Sequence, residues 1–240
     1  MSQKVTRNDC IAEIRRFLRN YYIYCQSPEP DAIREVLSSG YSVNDKLRKA
    51  GYPNFFENKY FIALKAIRNY AIHQAEIYNE AKALPIVSNK PIKADLSILC
   101  LIPSDTFNKI LDSTDSKSKD ALLETCVTYS KYSDIYPCIF NFGVSLFLYT
   151  EQHDLVLDSN EYRDFKNSIE HERANGYPHY VVGGVHLPND EDVDKFIDSN
   201  LQQIDQRLQV LNELYSVENG MYTFKGDYSA IHRFKNDNKS

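Results

Sequence analysis

Residues 54–84 read NFFENKYFIALKAIRNYAIHQAEIYNEAKAL, and their periodicity decides the fold class. Phe56, Tyr60, Leu64, Ile67, Ala71, Ala75 and Tyr78 recur at steps of three and four, the stripe that an α-helix turns toward a core. Asn54 stands where an N-cap belongs, Glu57 completes a capping box three residues later, and Pro85 supplies a stop. The spacing therefore predicts one helix over 54–84. At about 100° per residue, Lys65, Asn69, His73, Glu76 and Glu80 form a polar ridge away from that stripe, with Arg68 on its flank.

The flanking segments extend the same pattern. Ile11, Ile14, Leu18, Tyr21 and Cys25 predict a helix over 8–25, and the Ser27–Asp31 cluster, with its two prolines, stops it. Asp31 can cap a short helix reaching Leu37, Gly40 closes it, and another short helix covers Ser42 to Ala50. Residues 92–102 alternate only partially and fit either a strand or an extended connection. Pro103-Ser104-Asp105 opens a helix, and Ser113 to Lys119 reads as a polar loop. Helices are then expected at 119–131, 135–152 and 159–174, the last ending at Gly176. Gly183-Gly184 sits inside a β-branched run at 180–187, the pattern of a two-residue hairpin. A long last helix, 189–217, carries Ile197, Leu201, Ile204, Leu208, Leu211 and Tyr215 at heptad spacing, a seam suited to antiparallel packing or a dimer.

The expected architecture is thus mostly all-α. A helical bundle covers 1–152. A helical extension with a small hairpin covers 153–235, and a disordered tail covers 236–240. Eight Gly and nine Pro are too few for an all-β protein built on many tight turns. No apolar run approaches the roughly 18 residues that a bilayer span needs, and Met1 to Asp9 lack the apolar core of a signal peptide, so the expected location is cytoplasmic with no membrane partner. Five cysteines without a C-x-x-C pair read as buried reduced thiols. Residues 1–90 carry 14 basic against 9 acidic side chains, while the remainder carries 14 against 24. A polyanion would therefore sit on the N-terminal third, where Arg15, Arg16, Arg19 and Lys65 are the candidate contacts.

Chemistry concentrates in Arg68-Asn69-x-x-x-His73. A histidine titrates near neutrality, so it can take a proton from a ribose 2′-hydroxyl or return one to a departing 5′-oxygen. An arginine stays charged, and its planar fork matches a phosphate and stabilises charge that develops in the transition state. Asn69, one turn before His73, can orient either partner. Neither a metal nor a cofactor is needed for this chemistry. An Arg and a His at such spacing also occur as Arg173 with His179, but Gly176 and Pro178 interrupt the helix that pair would need.

Within a long amphipathic helix, Arg68-Asn69-x-x-x-His73 resembles the HEPN superfamily, which includes ribonucleases of toxin–antitoxin and phage-defence systems and the RNA-cutting parts of some CRISPR effectors. The resemblance covers residues 54–84 only. It implies an up-and-down helical bundle that forms a homodimer, with the motif helices of two protomers meeting over one RNA strand. It also implies Arg68 and His73 as the catalytic pair, Asn69 as the supporting residue, and a regulatory protein or antitoxin as a further partner. The expected activity is metal-independent cleavage of single-stranded RNA by 2′-hydroxyl attack, leaving a cyclic phosphate.

A rival reading makes the chain a non-enzymatic helical interaction protein that dimerises through the 197–215 seam, with Arg68 and His73 isolated on the surface or held in a salt bridge with Glu76 or Glu80. Other constellations are weaker. His171, His179 and His186, with Glu170 and Glu172, lack the tight spacing of a metal site. Asp190, Glu191, Asp192 and Asp194 suit the start of a helix better than a calcium loop.

Overall fold

A computed structural model describes residues 5–26, 31–86, 91–188, 190–218 and 221–225. The expected tail, 236–240, lies outside them. Nine helices and eight short strands make up the described residues, so the mostly α-helical class holds, with more β-structure than one hairpin.

Helix α1 (Arg7–Gln26) starts at a reciprocal cap. Asp9 accepts from the Thr6 amide at 2.8 Å and from the Thr6 hydroxyl at 2.7 Å, and these bonds hold its carboxyl below the usual carboxylate range. Helix α2 (Ala32–Ala50) is continuous where two short helices were expected, and Asp31 takes the N-cap position without a side-chain bond. Gly40 does not end it. A Cβ there would lie 3.1 Å from Leu64 and 3.3 Å from Phe142, so the glycine serves close packing inside a helix. The stop is Gly51, at φ 85°.

Helix α3 (Lys59–His73) is half the predicted length. Its N-cap is Asn58, whose side chain accepts from the Phe61 amide at 3.0 Å. Asn54 instead bonds the Phe56 amide within the preceding loop, and Glu57 reaches Lys117 at 2.8 Å. The capping box expected at Asn54 is therefore absent. Past His73 the chain straightens into β1 (Glu80–Ala83), where Ala81 and Ala83 are buried at spacing two. Ala75 and Tyr78, expected on the helical stripe, are exposed.

Strands β2 (Lys93–Ala94) and β3 (Ile98–Pro103) settle the ambiguous 92–102 stretch as extended structure. Helix α4 (Ser104–Asp112) follows, then α5 (Ser116–Thr125), which begins inside the predicted polar loop because Asp115 caps it through the Ser118 amide at 2.8 Å. The predicted helix to 131 is cut short by β4 (Val127–Thr128) and β5 (Tyr132–Asp134). An antiparallel sheet of order β1-β3-β5-β4 results. Helix α6 (Tyr136–Gln152) is the central apolar helix, as expected, and α7 (Asn160–Asn175) runs from its Ser159 cap to Gly176 at φ 70°.

The C-terminal third departs most from expectation. Gly183 and Gly184 do not form a hairpin. They lead into β6 (Val185–His186), which pairs antiparallel with β2. Gly183 is required because its φ is 81° and a Cβ would lie 2.5 Å from Pro137. The long last helix is three pieces: α8 (Val193–Asn200), α9 (Ile204–Leu214) and a hairpin of β7 (Tyr215–Glu218) with β8 (Met221–Phe224). Between the helices, Gln202 pairs with Ala83 through two 2.9 Å backbone bonds. The heptad seam is thereby dismantled. Ile197 enters one hydrophobic cluster, Ile204 another, and Tyr215 lies in a strand.

α1 packs against α2, and α3 lies against α2, α5 and α6. At their centre, Phe17, Phe55 and Phe61 crowd Phe142 with ring centroids 5.2–5.7 Å away. A second, smaller cluster joins Leu84, Leu99, Leu101, Val185, Phe196 and Ile197. No helix among the described residues is long and apolar enough to cross a membrane. All five cysteines are free; four are buried and Cys25 is half-buried.

Candidate functional site

The motif occupies the last turns of α3. Arg68 lies half-buried against α2, its guanidinium carbon 4.6 Å from the centre of the Tyr41 ring. That ring is itself stacked on Phe61. One terminal nitrogen of Arg68 donates to the side-chain carbonyl of Asn69 at 3.1 Å. Its Nε is buried with no hydrogen-bond partner among the described residues. The arginine is thus held flat by an aromatic face and a neighbouring amide, with no carboxylate neutralising it among the described residues.

His73, the last helical residue, is exposed. Neither acidic partner expected for it is in place. Glu76 pairs with Arg34 at 3.2 Å, and Glu80 pairs with Lys82 at 3.1 Å, two residues along the same strand. The polar ridge therefore stops at His73, because the helix that would carry it to Glu80 stops there. Within one chain no hydrogen bond joins Arg68 to His73 among the described residues.

Lys65 and Asn69 face a separate recess. With Tyr70 and Gln74 they line this polar recess of about 170 Å³, whose far wall is the turn from Ser113 to Asp115. Lys65 also sits over the Phe56 ring at 5.6 Å. Asn69 lies between the two surroundings, bonded to Arg68 and facing the recess.

The N-terminal arginines lie elsewhere. Arg15, Arg16 and Arg19 flank a separate cleft with Ser159 and Glu161 at the start of α7. Arg15 donates to the Asp158 carbonyl, and Arg16 pairs with Glu13 at 2.7 Å. The structure brings Lys65, Arg68, Asn69 and His73 together on one helix and does not bring the α1 arginines into their recess.

The other sequence candidates find local explanations. His179 pairs with Glu172 at 2.7 Å, and His186 lies in the β2–β6 ladder. No group of three metal-ligating side chains occurs among the described residues. Asp192 caps α8, and buried Asp194 accepts the Ser130 and Lys131 amides at 3.1 and 2.9 Å, so the acidic run is partly structural. Sequence reasoning missed Tyr41 and the Ser113–Asp115 wall. Only the Asp115-x-x-Ser118 cap left a local trace of the latter. No family model matches this chain, and no curated protein or solved structure matches it either.

Proposed function

We propose that the chain is a metal-independent endoribonuclease of the HEPN type, acting as a homodimer on single-stranded RNA. The observation that carries this reading is the pairing of a preset arginine with an uncommitted histidine. Arg68 is fixed by Tyr41 and Asn69 without a neutralising carboxylate among the described residues, and His73 is exposed at the open end of the same helix. An arginine so placed can receive a phosphodiester without first breaking an ion pair. An exposed histidine can approach the 2′-hydroxyl or the leaving 5′-oxygen.

One copy supplies one such pair. In the proposed dimer, two α3 ends face each other across the strand. One histidine takes the 2′-hydroxyl proton while that oxygen attacks phosphorus, and the second protonates the 5′-oxygen as its bond breaks. The two guanidinium groups hold the phosphorane oxygens, and the product carries a 2′,3′-cyclic phosphate. A role in toxin–antitoxin or phage defence, with an antitoxin or regulatory protein as partner, belongs to the same proposal and rests on the resemblance. Cytoplasmic location is part of the same proposal, without support from the resemblance.

Cleavage of an end-labelled single-stranded RNA in EDTA tests the reading. The unsubstituted protein should cut, and His73→Ala should lose about a hundredfold or more, the range for a positioned general acid or base. Arg68→Ala should lose as much, with Arg68→Lys not restoring it. Cleavage by all forms alike would remove the motif from the mechanism. If Arg68 is merely structural, Arg68→Ala will lower stability and His73→Ala will change nothing.

A further inference from the structure

A second cavity, independent of the motif helix, lies where α1, α6 and α7 meet; it is half-open to the surface and has a volume of about 210 Å³. Its walls are aromatic: Tyr21, Tyr22, Tyr136, Phe140 and Phe165, closed below by Ile169. Tyr21 and Tyr136 are buried, and the Tyr136 hydroxyl is the hub of a small polar chain. It lies 2.7 Å from the Tyr21 hydroxyl and 3.2 Å from the Cys25 thiol. Burial pushes both hydroxyls well up and the Cys25 thiol up to about 11, so all three are neutral near pH 7. Exposed Ser168 and half-buried Glu172, the latter bound to His179, stand at the rim.

We propose that this cavity is a small-molecule site for an uncharged, planar, single-ring compound bearing one hydrogen-bonding group. Size sets the ring count. A dry cavity of about 150 Å³ accepts one benzene, so this one holds a ring with a short substituent. The lining sets the shape, since rings stack or meet edge-on with aromatic walls. Anions are excluded because no cationic side chain among the described residues lines the cavity and Glu172 stands at its entrance. A cation gains no free counter-charge there, since Glu172 is already engaged by His179 at 2.7 Å. The single polar group is read by the Tyr136–Tyr21 pair, whose rotatable O–H bonds can donate to a carbonyl or accept from an N–H. This combination, an apolar concavity with a few convergent polar groups, is the usual form of a small-ligand site.

Acetophenone and ethylbenzene, which differ only by C=O in place of CH2, test the proposal by titration against full-length protein with labelled aromatic side chains, followed by NMR. Both should shift the resonances of Tyr21, Tyr136 and Phe165. Acetophenone should bind about tenfold more tightly, the worth of one hydrogen bond. Tyr136→Phe, which keeps the ring, should erase that preference while ethylbenzene still binds. Ser168→Trp, placed at the exposed rim, should block both. Absence of shifts at millimolar probe, shifts confined to other residues, or a ketone preference that survives Tyr136→Phe would each overturn it. None of these results depends on RNA cleavage.

Discussion

The two hydrophobic clusters of this chain meet along β3, which supplies Cys100 and Ile102 to one and Leu99 and Leu101 to the other. The larger cluster is built mainly by helices, and its members recur at helical spacing within α1, α2, α3 and α6. The smaller is assembled from Leu84 just past β1, two residues of β3, one of β6 and two of α8, which lie up to 113 positions apart in the chain. Helical burial leaves a periodic trace in the local sequence; a cluster gathered from distant short elements leaves almost none. The contrast also predicts different energetics, since the larger cluster is interlocked by aromatic rings and the smaller lies beside it.

The largest expected difference comes from emptying each cluster in turn. Phe142→Ala should cost about 4 kcal/mol, because four close-packed rings cannot collapse around the void. Phe196→Ala should cost about 3 kcal/mol, the low end for a buried ring, since the smaller cluster can relax around the loss. Denaturation midpoints compare the two. Hydrogen exchange should show the Phe196 variant opening α8 and the β2–β6 ladder ahead of the helices. Equal global losses would merge the clusters into one cooperative unit.

A second test sits at the boundary between the clusters. Asp134 is fully buried at the end of β5, and one of its oxygens accepts the Cys100 amide at 2.8 Å and the Tyr136 amide at 3.0 Å. Burial pushes its carboxyl up to about 7, the two amide bonds offsetting only part of that cost. Because the folded value lies above the unfolded one, the contribution of Asp134 is complete below about pH 4 and declines as pH rises through 7. Stability should fall over this window by a few kcal/mol, about 4 at most. Asp134→Asn keeps an acceptor for both amides and should flatten that slope in a pH series of denaturation curves. An unchanged slope would place the titrating group elsewhere.

The smallest effect distinguishes two asparagines at the start of α3. Asn58→Ala should cost about 1 kcal/mol as a lost N-cap, and Asn54→Ala only a few tenths of that, read as shifts of thermal midpoint. The reverse order would restore the earlier helix start that the Asn54–Glu57 pattern suggests.

Legibility followed the same division. Helices α1, α6 and α7 lie close to where periodicity and caps put them, since each carries its stripe and its stop signals in contiguous sequence. Residues 92–102 resisted because β3 is buried on both faces, which erases the apolar–polar alternation of a half-buried strand. The predicted helices over 54–84 and 189–217 failed for a shared reason. Ala83 and Gln202 pair with each other, and the backbone bonds they make require extended structure inside both apparent helices. Glu76 left the motif face because α3 ends at His73, and Glu80 because β1 pairs with β3, so the electrostatic neighbourhood of His73 was not readable from spacing.

From sequence alone followed the mostly helical class, the central apolar helix and the placement of Arg68, Asn69 and His73 on one helix, because these depend on interactions within about two turns. Tertiary structure decided that α3 ends at His73, that Arg68 lies on Tyr41, that Gly40 and Gly183 are needed for close approach, and that the heptad seam splits between two clusters. Those outcomes turn on pairing and packing between residues far apart in the chain, and such contacts outweigh local helix propensities of well under 1 kcal/mol per residue.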